Sequence, residues 1–142
     1  MDKLVIIPTY NEKENIEKII RKVLSLSGDY HILIVDDGSP DGTAGIVRSL
    51  QSEFNGRIHL LERKGKLGLG TAYIAGFKWA LERSYEYIFE MDADFSHDPE
   101  DLNRLYAVCS TTADVVVGSR YTKGGKVVNW PWDRIFISKG GA

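Results

Sequence analysis

Four short segments carry the residue types that could do chemistry: Pro8-Thr9-Tyr10-Asn11-Glu12, Asp36-Asp37-Gly38-Ser39-Pro40-Asp41-Gly42-Thr43, Asp92-Ala93-Asp94 and Gly118-Ser119-Arg120-Tyr121. The two acids of Asp92-Ala93-Asp94 follow an apolar run and repel one another. A divalent cation, Mg2+ or Mn2+, relieves that repulsion most simply, because such ions take a few carboxylate oxygens and fill their other positions with water and substrate phosphates. A solvated turn, with Asp98 capping the next helix, is the alternative for any isolated D-x-D. Asp37 is placed to accept hydrogen bonds from ribose hydroxyls or a base N–H, with Gly38 permitting close approach. Ser39-Pro40-Asp41-Gly42 reads as a turn and Asp41 as a helix cap, which assigns Asp41 to structure and Asp37 to function.

Two basic features stand beside these acids. Arg63-Lys64-Gly65-Lys66-Leu67-Gly68-Leu69-Gly70 is a glycine-rich turn entering a helix; it could offer amides and cations to a diphosphate, or be a solvated loop. It is not a Walker loop, and no strand-to-helix turn reads G-x-G-x-x-G, so a nicotinamide-binding fold has little support. Arg120 follows an apolar run, where its guanidinium could fork onto a phosphate or simply face water. His31, His59 and His97 lack metal-ligand spacing, and none is assigned to a metal.

The elements that must position these groups follow from periodicity. Leu4-Val5-Ile6-Ile7, Ile32-Leu33-Ile34-Val35, Ile58-His59-Leu60-Leu61, Tyr87-Ile88-Phe89-Glu90-Met91 and Val115-Val116-Val117 are strand candidates, mostly continuous apolar runs of the kind buried on both faces of a parallel sheet. Between the first two, Ile16, Ile19, Ile20, Val23 and Leu24 have helical spacing, with Asn11 and Glu14 spaced as a capping box. Ile46, Val47, Leu50 and Phe54 mark a second helix. Tyr73, Phe77, Ala80 and Leu81 mark a third, where Ala72, Ala75 and Gly76 allow close packing. A fourth is expected to start at Asp98-Pro99, with Leu102, Leu105, Tyr106 and Cys109 facing inward. This is the alternation of an α/β fold, in which ligands bind beyond the carboxyl ends of the strands, where the four chemical segments fall. Trp130, Trp132 and Ile135-Phe136-Ile137 either pack on the domain or form an interfacial patch near lipid.

With 142 residues, 43% hydrophobic and 27% charged, the composition is that of one globular domain with one core. Cys109, the one cysteine, excludes a disulfide scaffold and a cysteine zinc site. A formal charge of -2 argues against a nucleic-acid binder driven by phosphate neutralisation. No apolar run approaches the ~20 residues of a membrane-spanning helix, and the residues are expected to be soluble and cytoplasmic.

Taken together, Pro8-Thr9-Tyr10-Asn11-Glu12, the nine residues from Val35 to Thr43, Met91-Asp92-Ala93-Asp94-Phe95-Ser96-His97 and Gly118-Ser119-Arg120-Tyr121 stand in the order and spacing of one family. The chain resembles the inverting family 2 glycosyltransferases of GT-A fold. The run of nine from Val35 to Thr43, with Arg134-x-x-x-Ser138-Lys139-Gly140 near the end, directs the resemblance to the dolichol- or polyprenol-phosphate mannosyltransferases. It implies a Rossmann-like, mostly parallel sheet with flanking helices. It further implies that Pro8, Tyr10, Glu12, Val35 and Asp37 hold the nucleoside, Asp92, Ala93 and Asp94 the diphosphate and its Mg2+ or Mn2+, and Arg120, Arg134 and Ser138 the acceptor phosphate. Some relatives have glutamine at the position of Ser96, where it assists the metal; serine leaves that ligand to water.

The implied reaction is transfer of mannose from GDP-mannose to a polyprenyl phosphate with inversion, at the cytoplasmic face of a membrane. The resemblance also makes residues 1–142 the N-terminal part of a single catalytic domain, truncated at Gly140-Gly141-Ala142, with a membrane segment or an anchoring partner subunit elsewhere. The residues do not separate guanine from uracil, so UDP-glucose or a UDP-aminosugar is the alternative donor, and a nucleotide-sugar-binding fragment without activity is a further one. A D-x-D phosphatase would carry its nucleophilic aspartate after the first strand, where Pro8-Thr9 stands instead. Because Arg134 and Ser138 fall among the last nine residues, where chain ends fray unless docked, the acceptor half is expected to be poorly held, and Ile135-Phe136-Ile137 to be exposed.

Overall fold

The computed structural model describes residues 3–65, 68–83, 85, 87–94, 98–112, 115–119, 127–129 and 135–139. In chain order they form β1 (Lys3–Thr9), α1 (Ile16–Ser25), β2 (His31–Asp36), α2 (Thr43–Glu53), β3 (Ile58–Glu62), α3 (Leu69–Leu81), β4 (Tyr87–Glu90), α4 (Asp101–Thr112), β5 (Val115–Ser119), β6 (Val127–Asn129) and β7 (Ile135–Lys139). Lys66, Leu67, Ser96, His97, Arg120, Tyr121, Trp130, Trp132 and Arg134 lie outside the described residues.

The strands make one seven-stranded sheet in the order β3-β2-β1-β4-β7-β5-β6. β1 pairs in parallel with β2 and with β4, β2 with β3, and β5 with β6, while β7 runs antiparallel to both of its neighbours. The mostly parallel sheet expected from the apolar runs is therefore present. β1 and β2 are buried almost throughout. β3, at the sheet edge, departs from the expectation: only Ile58 is fully covered, because among the described residues no strand lies beyond it.

Side chains alternate between two cores, as the pleat requires. Val5, Ile7, Ile32, Ile34 and Phe89 pack against Ile16, Ile19, Ile20 and Val23 of α1, Val47 and Leu50 of α2, and Leu102 of α4. Leu4, Ile6, Leu33, Val35 and Ile88 face the other way, onto Ala72 and Ala80 of α3. Each aliphatic side chain removed from water in this way contributes about 1.5–3 kcal/mol. Leu81, expected to face this core, is 59% exposed at the last turn of α3.

Three local expectations are corrected. The Asn11/Glu14 capping box does not form: α1 begins at Ile16 behind Asn15, and Asn11 has a left-handed backbone, φ 56°. The reason is tertiary, since the Asn11 amide donates to Ser39 Oγ at 2.8 Å and the Glu12 amide to Thr43 Oγ1 at 3.1 Å, drawing this loop toward α2. α4 begins at Asp101 rather than Pro99, because Pro99 and Glu100 form a turn ahead of it; the Asp98 carboxylate caps that turn as expected, accepting from the Glu100 amide at 3.0 Å. The third correction is β7, which places residues 135–139 between β4 and β5 with hydrogen-bonded strands on both sides. Ser138 is thereby docked in an interior strand, where a fraying chain end was expected, while Arg134 and the exposure of Ile135-Phe136-Ile137 lie outside what is described.

Candidate nucleotide site

Strand order reverses between β1 and β4, since the chain winds outward from β1 through β2 and β3 on one side and crosses to β4 on the other. In an open α/β sheet such a switch point leaves a crevice beyond the strand ends. A cleft of about 210 Å³ opens there, lined by Pro8, Thr9, Tyr10, Glu12, Asp37, Gly68, Ala72, Asp92, Ala93 and Asp94. Its walls come from the end of β1 and the segment after it, the segment after β2, Gly68 with the first turn of α3, and the segment after β4.

Asp36 holds the first two walls together. This fully buried carboxylate accepts from Thr9 Oγ1 and Ser39 Oγ, each at 2.7 Å, and from the Ser39 amide at 3.0 Å. Ser39 Oγ accepts in turn from the Asn11 amide. Asp41 closes the outer end, accepting from the Lys13 amide and the Thr43 amide, each at 3.1 Å. These bonds hold its carboxyl below the usual range despite the opposing cost of desolvation. Its structural assignment stands, although it acts one residue ahead of Gly42, the residue preceding α2.

Asp37 reaches the cleft already paired. Arg63 Nε donates to one of its oxygens at 2.7 Å and Arg63 Nη2 to the other at 2.9 Å, with the two side chains 12% and 8% exposed. The Arg63 cation, read from the sequence as available to a diphosphate, is thus committed to Asp37. Gly38 allows this: its φ is +71°, and a Cβ there would come 3.0 Å from the Gly65 nitrogen. Val35 is not brought to the cleft, being wholly buried in the core under α3. Ser138 stands in β7 opposite Ile88 of β4, four residues ahead of Asp92 in the chain, and does not line the cleft.

At the mouth, carboxylates converge. Asp92 is half-buried, Asp94 exposed, and Glu12 is pushed above the ordinary carboxylate range by desolvation, with repulsion from Asp94, Asp41 and Asp92 adding to it and an Asn15 hydrogen bond opposing. Among the described residues no group of three or more His, Cys, Asp or Glu forms a ready-made metal cage. Two carboxylates with an acidic surround fit Mg2+ or Mn2+ held jointly with phosphate oxygens and water, and do not fit an all-protein site. Asp92 also accepts from Tyr73 Oη at 3.1 Å. Tyr73 was read from its helical spacing as a core residue; an aromatic with a polar tip one position from Ala72 is the signal that could have placed it here.

Sheet order, switch-point cleft and paired carboxylates define a fold of GT-A class. The chain matches glycosyl transferase family 2 over residues 4–141 and belongs to that family. It is 52% identical to the polyprenol monophosphomannose synthase of Mycolicibacterium smegmatis, covering 96% of this chain and 51% of that protein. To the undecaprenyl-phosphate mannosyltransferase of Micrococcus luteus it is 48% identical, covering 100% of this chain and 58% of the relative. The chain thus spans little more than half the length of these relatives. The mannosyltransferase PcManGT of Pyrobaculum calidifontis, solved with GDP-Man and Mn2+, has the same fold: TM-score 0.71 at 19% identity, covering 97% of this chain and 44% of that one.

Proposed function

We propose that this chain is the N-terminal part of the catalytic domain of an inverting transferase that moves mannose from GDP-mannose to a polyprenyl or dolichyl phosphate. The observation that carries the reading is the convergence of Pro8, Tyr10, Glu12 and Asp37 on Asp92-Ala93-Asp94 across one cleft at the β1/β4 switch point. The names of the relatives support the acceptor class and the sugar, and the GDP-Man complex of a protein of the same fold supports the donor.

In this reading Pro8, Tyr10, Glu12 and Asp37 hold the nucleoside, and Asp92, Ala93 and Asp94 face the diphosphate. Asp92 and Asp94 would hold Mg2+ or Mn2+, which when bound offsets the negative charge of the diphosphate leaving group. The acceptor needs no strong base, because a phosphate monoester with a second pKa of about 6 is already largely dianionic at neutral pH. What the chain must supply is alignment of two mutually repelling anions. Arg120, Arg134 and Ser138 are assigned to the acceptor phosphate on the family pattern. Binding to a membrane surface follows from the lipid acceptor, through a partner subunit or a segment elsewhere; among the described residues no helix is long and apolar enough to cross a membrane. Nucleic acid is not a partner in this reading.

The test is transfer of labelled sugar to a short polyprenyl phosphate from GDP-mannose, UDP-glucose and a UDP-aminosugar in turn. GDP-mannose is expected to be the preferred donor; equal or better transfer from a UDP-sugar would overturn the donor assignment.

A further inference from the structure

We propose that Tyr73 is a positioning residue for Asp92, its phenol fixing the carboxylate that would meet the diphosphate and its cation. The inference rests on the functional reading above and deepens it. Tyr73 Oη donates to Asp92 Oδ1 at 3.1 Å, joining α3 to the segment after β4 across 19 residues of chain. A partly buried phenol needs a partner for its polar end, and here the partner lies at the cleft.

The seat of α3 sets this contact. Gly76, one turn beyond Tyr73, packs so closely on β1 that a Cβ there would lie 2.7 Å from Ile6 Cγ2. That approach brings the first turns of α3 to the sheet edge, where Gly68 and Ala72 line the cleft beside Asp92. A carboxylate offers about four acceptor positions, so one hydrogen bond from Tyr73 restrains its rotation and leaves capacity for a cation or a ribose hydroxyl. Outer partners of this kind orient metal-ligating carboxylates, and their loss typically weakens metal binding about 10–100-fold.

The experiment is calorimetric titration of GDP into the unmodified chain, Tyr73→Phe and Ile74→Ala, each in Mn2+ and in EDTA, with thermal denaturation alongside to show that each variant is folded. Phenylalanine keeps the ring packing and removes only the donor. Tyr73→Phe is expected to weaken GDP binding about tenfold in Mn2+ while changing the EDTA value by less than about twofold. Ile74→Ala, at a side chain 56% exposed on the same helix, is expected to change neither. An unchanged Mn2+ arm, or an equal loss in both arms, overturns the role of Tyr73 while leaving the functional reading intact. If the unmodified chain binds GDP equally well in Mn2+ and EDTA, or not at all, the functional reading itself fails and the role of Tyr73 with it.

Discussion

Arg63 forks onto Asp37 with both oxygens engaged, at 2.7 and 2.9 Å, and each residue is nearly buried. Removing one member would strand the other's charge, which costs about 3–5 kcal/mol in buried pairs. Arg63→Ala is therefore expected to lower unfolding free energy by about 3 kcal/mol in urea denaturation. Arg63→Lys keeps the charge but loses the planar fork, so it should perturb fold stability less and still misplace Asp37. GDP binding by Arg63→Lys is expected to weaken equally in Mn2+ and EDTA, in contrast to Tyr73→Phe. A GDP affinity unchanged in Arg63→Lys would show that Asp37 does not need this partner to serve the nucleoside.

A second expectation concerns Gly76. Adding a methyl at a distance of 2.7 Å from Ile6 Cγ2 forces β1 and α3 apart, and overpacking of this kind costs about 1–3 kcal/mol. Gly76→Ala should be destabilising in an otherwise unmodified chain and distinctly less so in an Ile6→Ala background, where Cγ2 is gone. A double-mutant cycle in urea reads this coupling. Additive effects would mean that α3 is not seated by this contact.

Much of the fold was legible because burial follows simple periods. Ile16, Ile19, Ile20, Val23 and Leu24 are all buried, as their spacing required, and the apolar runs from Leu4 and Ile32 became interior strands paired on both sides. The acidic pair was also legible, since Asp92 and Asp94 follow a strand that lies in the middle of the sheet. What escaped was set by partners distant in the chain. The Asn11/Glu14 spacing is locally sound, yet bonds to Ser39 and Thr43, some thirty residues on, prevail. β7 inserts antiparallel between β4 and β5, an order no local pattern encodes. Arg63 looked like a free cation because Asp37 lies 26 residues away.

Glu90 gives the clearest pH dependence. It is 7% exposed on β4 beside Ile6, its Oε2 has no hydrogen-bond partner among the described residues, and desolvation raises its pKa from 4.5 to about 8. The unfolded chain releases this proton near pH 4.5 and the folded chain holds it to about 8. Across that window the folded state binds more protons, so stability falls as pH rises, and the slope from this group vanishes outside it. With each unit worth about 1.4 kcal/mol, the loss is on the order of a few kcal/mol. His31 and His59, lowered mainly by desolvation, contribute the opposite slope below pH 6.5. The difference between the unmodified chain and Glu90→Gln isolates the carboxyl: the variant should gain stability relative to the parent as pH rises from 5 to 8. A constant difference across that range would mean that Glu90 is ionised in the folded chain.

The most direct test of the nucleotide site is reciprocal linkage between GDP and Mn2+. Calorimetry should show Mn2+ tightening GDP and GDP tightening Mn2+ by the same factor, as a cation shared between protein and diphosphate requires. Asp94→Ala, which removes an exposed carboxylate at the cleft mouth, should abolish that factor and leave the melting temperature close to that of the parent. Unchanged Mn2+ dependence in Asp94→Ala would contradict the account.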